Sequence, residues 1–180
     1  MRFEFLDTLE EDWQPVSKSA ATAWLAFYGL FLLHALTDQD GFLLIDYVNL
    51  VIHEGGHLLF GWFGRTLGIL GGTLLQLLVP LALAVYFLLR RHTTGTAFAV
   101  FFFFESFLNV GVYMADARRQ ALQYVTVGDP GSAEHDWDVL FSGIGLLEKD
   151  TVIGGAMRVL GWMGMLGSVA WLVRRARAKS

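Results

Sequence analysis

Five long apolar stretches constrain the fold of this chain more than any other feature of its sequence. Two of them, residues 20–37 and 67–89, contain no Asp, Glu, Lys or Arg. A helix of ~20 apolar residues rises ~1.5 Å per residue and therefore crosses a hydrocarbon layer of ~30 Å. The other three stretches are residues 47–64, 95–115 and 151–173. The pattern predicts an all-α, polytopic integral membrane protein with about five transmembrane helices in a single domain, residues 1–180.

Composition agrees with a chain that lies in a lipid bilayer. Hydrophobic residues make up 54% of its 180 residues and charged residues only 17%, whereas soluble domains have about 25% charged residues. Cysteine is absent, so a metal ion would have to be bound by His, Asp or Glu. The formal net charge is −4, and an N-terminal segment, residues 1–18, is acidic. We therefore predict no nucleic-acid partner, because no basic surface is expected.

One long polar connection, residues 116–150, separates the fourth and fifth apolar stretches. Within it, SAEHDWDVLFSGIGLL has an amphipathic pattern that predicts a short helix, with Ser132 as its N-cap. If all five stretches cross the membrane, this connection emerges on the same side as the end of stretch 47–64. Its polar residues can then approach the second apolar stretch.

Basic residues indicate the orientation of the chain. They follow the third and fifth apolar stretches, at Arg90, Arg91, Arg174, Arg175, Arg177 and Lys179. Lysine and arginine favour the cytoplasmic ends of membrane helices. We therefore expect an integral protein of the bacterial inner (plasma) membrane with a cytoplasmic C-terminus and both basic clusters on one side.

The sequence HEGGH, residues 53–57, introduces ionisable groups into the second apolar stretch. His53 and His57 are one helical turn apart, so they share a face and can bind one Zn²⁺ at ~2.0–2.1 Å. Glu54 is then the candidate general base for metal-activated water. Each such group costs about 2.5–3.5 kcal/mol at the centre of a membrane helix, which favours a functional role. The alternative is a buried polar cluster that holds helices together.

The HExGH pattern within an apolar helix resembles the site-two protease family of intramembrane zinc metalloproteases. The resemblance covers residues 49–64. It implies that His53, His57 and a distant aspartate hold zinc while Glu54 activates water. In that family the aspartate usually lies in a Leu-Asp-Gly motif of a later span, and this sequence has no Leu-Asp-Gly. The third ligand must therefore be sought elsewhere in the chain.

Our first choice for the third ligand is His135, and Asp136 is the second. Both belong to EHDWD in the polar connection, on the side that the second stretch reaches. The remaining candidates are Asp138, Asp116 and Glu105.

Two of these candidates have other plausible roles. Asp116 can accept a ring N–H from His53 or His57 as an outer partner of the metal site. Glu105 and Arg158 are expected at a similar depth, where they can pair and offset each other's burial. Gln76, the polar residue in stretch 67–89, is interpreted as an interhelical hydrogen-bonding group that can also face the site.

These observations predict a membrane-embedded, zinc-dependent metalloprotease that cleaves peptide bonds in or beside the bilayer. Its substrate would be a membrane protein or peptide. The alternative is a non-catalytic metal-binding membrane scaffold or accessory protein, which a closed four-ligand site would indicate because structural zinc keeps no open position. A metal or solute transporter is a third possibility, although only one stretch contains a clear ligand pair. The sequence leaves substrate identity and oligomeric state open.

Overall fold

The chain is helical throughout the part that the computed structural model describes, residues 12–38, 42–122 and 134–178, and no strand occurs there. The acidic residues 1–11 and Ser132 lie outside these ranges. The helices are α1 (Lys18–Thr37), α2 (Asp46–Phe60), α3 (Arg65–Leu89), α4 (Thr93–Ala115), α5 (Asp136–Gly143) and α6 (Asp150–Ala178). Short 3₁₀ turns at Gly61–Phe63 and Leu147–Lys149 precede α3 and α6. The prediction of an all-α protein is confirmed for these residues.

Four helices are long and apolar enough to cross a membrane. They are α1, α3, α4 and the continuous segment Leu147–Arg177, which contains all of α6 except Ala178. They suggest a membrane protein. The fifth predicted span is not among them, because α2 has only 15 residues. At ~1.5 Å per residue this helix is roughly 22 Å long, shorter than a ~30 Å hydrocarbon layer.

Helix α4 lies at the centre of the structure and packs against α3 on one side and α6 on the other. Where α4 crosses α6, Gly111 and Gly154 bring the two backbones together, and a Cβ on either would overlap the opposite helix. Tyr28 from α1 and Phe101 from α4 pack into the same core as α6. Their rings are 4.7 Å apart, so α1 covers the outer face of the α4–α6 pair.

The α2–α3 hairpin positions the histidines. Gly56 faces Gly71 and Gly72, and a Cβ at Gly56 would overlap the backbone of both residues. Gly64, at the turn into α3, has φ 103°, a conformation that glycine adopts without strain. The close approach that glycine permits turns the histidine face of α2 towards α3.

Basic and aromatic residues meet at one end of the helices. Arg91 and Arg175 lie over the ring of Trp13, at 5.3 and 4.7 Å from its centroid. Trp13 also contacts Trp171 edge-on, with ring centroids 4.9 Å apart. The prediction that the two basic clusters share one end is thus confirmed for Arg91 and Arg175.

Candidate metal centre

His53 and His57 lie one turn apart on α2, and their rings meet edge to face with centroids 4.7 Å apart. The Asp136 carboxylate completes the group. Its Oδ2 is 2.9 Å from Nε2 of His53 and 3.3 Å from Nε2 of His57. One ligand atom from each residue lies within 4.8 Å of the other two, so these three side chains could hold a metal ion.

The second nitrogen of each ring faces a carbonyl oxygen. His53 Nδ1 is 3.2 Å from Oε1 of Gln76, and His57 Nδ1 is 2.8 Å from the backbone oxygen of Gly68. Because a carbonyl oxygen can only accept, each Nδ1 carries the hydrogen and donates it. In a neutral ring the Nε2 atom then keeps its lone pair, which is the form that a metal requires.

Close contact with α3 limits the movement of the His53 ring. A Cβ on Gly72 would overlap the ring of His53. Gly72 therefore provides the space that the ring occupies, and a larger residue there would displace the ligand.

Asp136 is the first residue of α5, and its side chain contacts both histidines there. Its backbone N–H donates to the hydroxyl of Tyr113 on α4, at 3.2 Å. Burial alone would raise the pKa of Asp136, but its contacts with His53 and His57, in which a protonated ring donates from Nε2, outweigh burial and hold its pKa below the ordinary value. The carboxylate is therefore the charged form, which metal binding needs.

The chemistry and spacing of the donors fit zinc. Two imidazole nitrogens and one carboxylate oxygen are the ligand types that a catalytic zinc site without cysteine uses. In tetrahedral coordination with bonds of ~2.0–2.1 Å, ligand atoms are roughly 3.3 Å apart. The Nε2–Oδ2 distances of 2.9 and 3.3 Å are close to that spacing. With neutral rings the three lone pairs would face one another, and either a proton on Nε2 or a bound metal ion would relieve their repulsion.

One side of the group is open. The His57 side chain is 27% exposed, whereas His53 and Asp136 are each 10% exposed. Glu54 is half-buried and is close enough to His57 for their charges to interact. A carboxylate therefore lies near the more exposed of the two histidines.

His135, the residue that the sequence predicts first as the third ligand, is not part of this group. It caps α5 instead, since its Nδ1 accepts the backbone N–H of Asp138 at 3.3 Å. Its Nε2 is 3.9 Å from Asp116 and its ring lies 4.2 Å from that of Tyr113. Burial lowers the pKa of His135, and Asp116 offsets part of this effect.

The other candidates also lie outside the group. The Asp116 carboxylate accepts the backbone N–H groups of Ala121 and Leu122, each at 3.0 Å. It is not the outer partner of either α2 histidine, because Gln76 and Gly68 take those positions. Asp138 Oδ1 accepts from Ser142 at 3.4 Å.

Glu105 belongs to a second buried cluster on α2 and α4. Asn49 Nδ2 donates to Oδ1 of Asp46 and to Oε2 of Glu105, both at 2.9 Å. The expected pairing of Glu105 with Arg158 is therefore wrong, since an amide and a second carboxyl group surround Glu105 while Arg158 is exposed.

Two contacts of the site were not predicted from the sequence. Tyr113 holds the backbone of Asp136, and the Gly68 carbonyl orients His57. A backbone carbonyl leaves no signal in a sequence. Tyr113 could have been suspected, because it is the tyrosine nearest the end of stretch 95–115 that faces the polar connection.

Comparisons of the chain with protein-family models, with curated proteins and with solved structures find no match. The function of the site is therefore inferred from its residues and their geometry.

Proposed function

We propose that the chain is a membrane-embedded, zinc-dependent metallopeptidase of the site-two protease type that cleaves peptide bonds in or beside the bilayer. The single observation that supports it is the convergence of His53 Nε2, His57 Nε2 and Asp136 Oδ2, with Glu54 close enough to His57 for their charges to interact. His53, His57 and Asp136 would hold the zinc. When bound, zinc would act as a Lewis acid and make hydroxide available at neutral pH.

Glu54 performs the proton transfers in this proposal. Its carboxylate accepts a proton from the attacking water as oxygen bonds to the scissile carbonyl carbon. It then delivers that proton to the leaving nitrogen as the C–N bond breaks, which yields a carboxylic acid and an amine. The open side at His57 admits the substrate, since a closed ligand shell would leave no space for it.

The membrane setting is part of the proposal. We infer that the four long helices cross the bilayer and that the shorter α2 lies within it, supported by flanking helices α3 and α4. The end with Arg91 and Arg175 faces the cytoplasm under the positive-inside rule. The substrate is then a membrane protein or a peptide that enters from the bilayer.

The test compares wild type with Glu54→Gln, and with Glu148→Gln as a matched control. Glu148 is exposed and pairs with Arg118. Each protein is purified in detergent, its metal content is measured by mass spectrometry, and cleavage of a library of tagged transmembrane peptides is followed. We expect zinc in all three and cleavage by wild type and Glu148→Gln, with a loss of at least roughly 100-fold in Glu54→Gln.

Wild-type protein without metal would contradict the proposal. Zinc binding with no cleavage by wild type would favour the metal-binding scaffold instead. Equal cleavage by wild type and Glu54→Gln would show that Glu54 is not the base.

A further inference from the structure

Arg158 lines a cavity of about 60 Å³ where the end of α1 and the start of α2 meet α4 and α6. Among the residues that the structure describes, this arginine forms no ion pair or hydrogen bond. A Cβ on Gly111 would overlap the Cγ of Arg158, so the stem of the arginine lies against α4. Because arginine is costly within a membrane helix, a guanidinium without a protein partner there is a candidate ligand-binding group.

Asn109 on α4 and Asp46 on α2 line the same cavity. Asn109 Oδ1 accepts from Gln76 at 2.8 Å, so the amide can offer its NH₂ group to a molecule in the cavity. The Asp46 carboxylate accepts from the backbone N–H of Leu43 at 2.7 Å and from Asn49 at 2.9 Å. Each of its oxygens keeps a second lone pair. Together with the guanidinium, these groups present both hydrogen-bond donors and an acceptor.

The charges around the cavity favour a peptide group over an anion. Asp38 and Asp46 both line it beside Arg158, so the carboxylate of a ligand would meet two like charges and one opposite charge. A peptide group is uncharged and has one C=O acceptor and one N–H donor. Its oxygen can accept from Arg158 while its N–H donates to Asp46. Leu108 and Trp162 provide apolar lining for the adjoining carbon atoms.

Cleavage within a bilayer requires such a site. Hydrocarbon offers no hydrogen-bond partner to the peptide groups that an unwound transmembrane segment exposes, so the protease must supply one. Asn109 lies one helical turn, ~6 Å, from Tyr113 on α4, and the ring of Tyr113 is 5.8 Å from that of His53. Since an extended chain advances ~3.3 Å per residue, a peptide group about two to four residues from a scissile bond at the metal centre would reach the cavity.

We propose that this cavity is a substrate subsite in which Arg158, Asn109 and Asp46 bind a main-chain peptide group of an unwound transmembrane segment. Arg158 donates to the carbonyl oxygen, Asn109 is a second donor, and Asp46 accepts the N–H. The inference rests on the proposed function, because it describes how the substrate of that site is held. It adds that the subsite selects an unwound backbone and not a particular side chain.

The experiment measures peptide binding by fluorescence anisotropy on the full chain in detergent, in the Glu54→Gln background, where no cleavage is expected. The probe is a tagged peptide of about 20 apolar residues whose central Gly-Pro pair interrupts its helix. The matched peptide has Leu-Leu at that position and is helical throughout.

Two substitutions disturb the cavity in different ways. Arg158→Leu removes the guanidinium, whereas Ala35→Leu on α1 fills space in the cavity and leaves the guanidinium in place. Arg158→Lys tests rescue by a conservative change. Arg174→Leu is the matched control, because Arg174 is an exposed arginine on the same helix.

We expect the interrupted peptide to bind at least roughly tenfold more tightly than the helical one, which has no free peptide group in its middle. Arg158→Leu should weaken binding of the interrupted peptide by roughly 10- to 100-fold, as loss of a hydrogen bond from a charged group does. Ala35→Leu should weaken it by a similar factor. Arg158→Lys should keep part of the affinity, since lysine keeps the charge but not the planar fork of donors. Arg174→Leu should stay within about threefold of its parent.

Thermal unfolding separates binding from a structural role. Arg158→Leu should not lower the melting temperature, because the arginine has no partner to lose among the described residues. A fall in melting temperature that matches the loss of binding would overturn the inference.

Four binding results would also overturn it. They are no binding of either peptide, equal affinity of Arg158→Leu and Arg174→Leu, equal weakening of both peptides in Arg158→Leu, and selection of an acidic side chain. The last is tested by placing Glu or Gln beside the Gly-Pro pair. A gain with Glu that depends on Arg158 would show that the cavity binds a carboxylate and not the backbone.

The subsite and the protease can fail separately. If wild type cleaves peptides and Arg158→Leu cleaves and binds them equally well, the protease stands and the subsite is wrong. If wild type cleaves nothing while Glu54→Gln binds the interrupted peptide through Arg158, the protease proposal fails and the peptide site stands.

Discussion

Helix α2 contributes to two buried polar clusters, and their polar groups find partners in different ways. In the carboxyl cluster, Asp46, Asn49 and Glu105, the amide of Asn49 lies between two carboxyl groups and donates to both. In the metal cluster, His53, His57 and Asp136, the ring Nε2 atoms and a carboxylate oxygen face one another. No amide or hydroxyl donor separates them.

This difference separates a cluster that ties helices together from one that binds a ligand. The carboxyl cluster contains its own donors and needs no ion beyond a shared proton. In the metal cluster the two rings already face Gln76 and Gly68 with Nδ1, so each Nε2 is left to bind either a proton or a metal ion beside Asp136. Polarity and burial alone would not distinguish them, whereas the arrangement of donors does. Substitutions in the metal cluster should therefore change zinc affinity, whereas substitutions in the carboxyl cluster should change the free energy of unfolding.

The largest effect should follow loss of Asp136. Asp136→Ala removes one of three ligands, so zinc affinity should fall by roughly 100-fold or more, beyond the range for outer partners. Asp138→Ala, two residues further along α5, is the matched control and should bind zinc like wild type. Chelator competition measures all affinities.

His135→Ala tests the alternative ligand. Because His135 caps α5, its loss should cost about 1 kcal/mol of stability and leave zinc affinity within about threefold of wild type, since it is not an outer partner of either histidine. If His135→Ala abolished zinc binding while Asp136→Ala retained it, the assignment of the metal cluster would be wrong.

Loss of Asn49 should lower the stability of the protein and leave its zinc affinity nearly unchanged. Asn49→Leu leaves two buried carboxyl groups without their shared donor, which should lower the free energy of unfolding by about 3 kcal/mol. Zinc affinity should change by less than about threefold, because the hydrogen-bond partners of Asn49 are Asp46, Glu105 and Ser106 and none of them is a candidate ligand. Thermal and denaturant unfolding in detergent measure the stability.

Ser168→Ala provides the reference for this loss. Ser168 is buried on α6 and donates one hydrogen bond to the Met165 carbonyl at 3.1 Å, so its loss should cost about 1 kcal/mol. If Asn49→Leu were no more destabilising than Ser168→Ala, the carboxyl cluster would not depend on the bridging amide.

The long helices were predictable because the length and hydropathy of each apolar stretch are enough to indicate a membrane helix. Predicted stretches 67–89 and 95–115 differ from helices Arg65–Leu89 and Thr93–Ala115 by only two residues at one end. Stretch 47–64 misled because its apolar residues continue through a 3₁₀ turn that ends the helix. Hydropathy does not register that change of backbone geometry.

The residue types of the site were predictable from the sequence, but which side chains face the two histidines was less so. The spacing of His53 and His57 on one helix fixes their shared face, so this pair needed no tertiary information. The third position did need it. His135 and Asp136 are neighbours with suitable ligand atoms, and only the start of α5 decides that His135 caps the helix while Asp136 faces α2. The Glu105 pairing failed for the same reason, since depth along a helix does not specify which face a side chain occupies.

The smallest effect should come from the surface pair that flanks the metal cluster. Arg65 and Glu134 form an ion pair at 2.8 Å between the start of α3 and the residues before α5, and both side chains are exposed. Exposed pairs contribute about 0–1 kcal/mol and weaken in salt. Arg65→Gln and Glu134→Gln should each reduce zinc affinity by less than about threefold at low ionic strength. The double variant should be no weaker than either single variant.

At high ionic strength the difference from wild type should disappear, because salt already screens the pair. A loss as large as that of Asp136→Ala would mean that this exposed pair holds Asp136 against α2. Retained affinity would instead assign that role to the buried contacts of Asp136 with Tyr113 and the two histidines. The metal cluster would then resemble the carboxyl cluster in being held by interior hydrogen bonds, and would differ from it in the metal ion that it could hold.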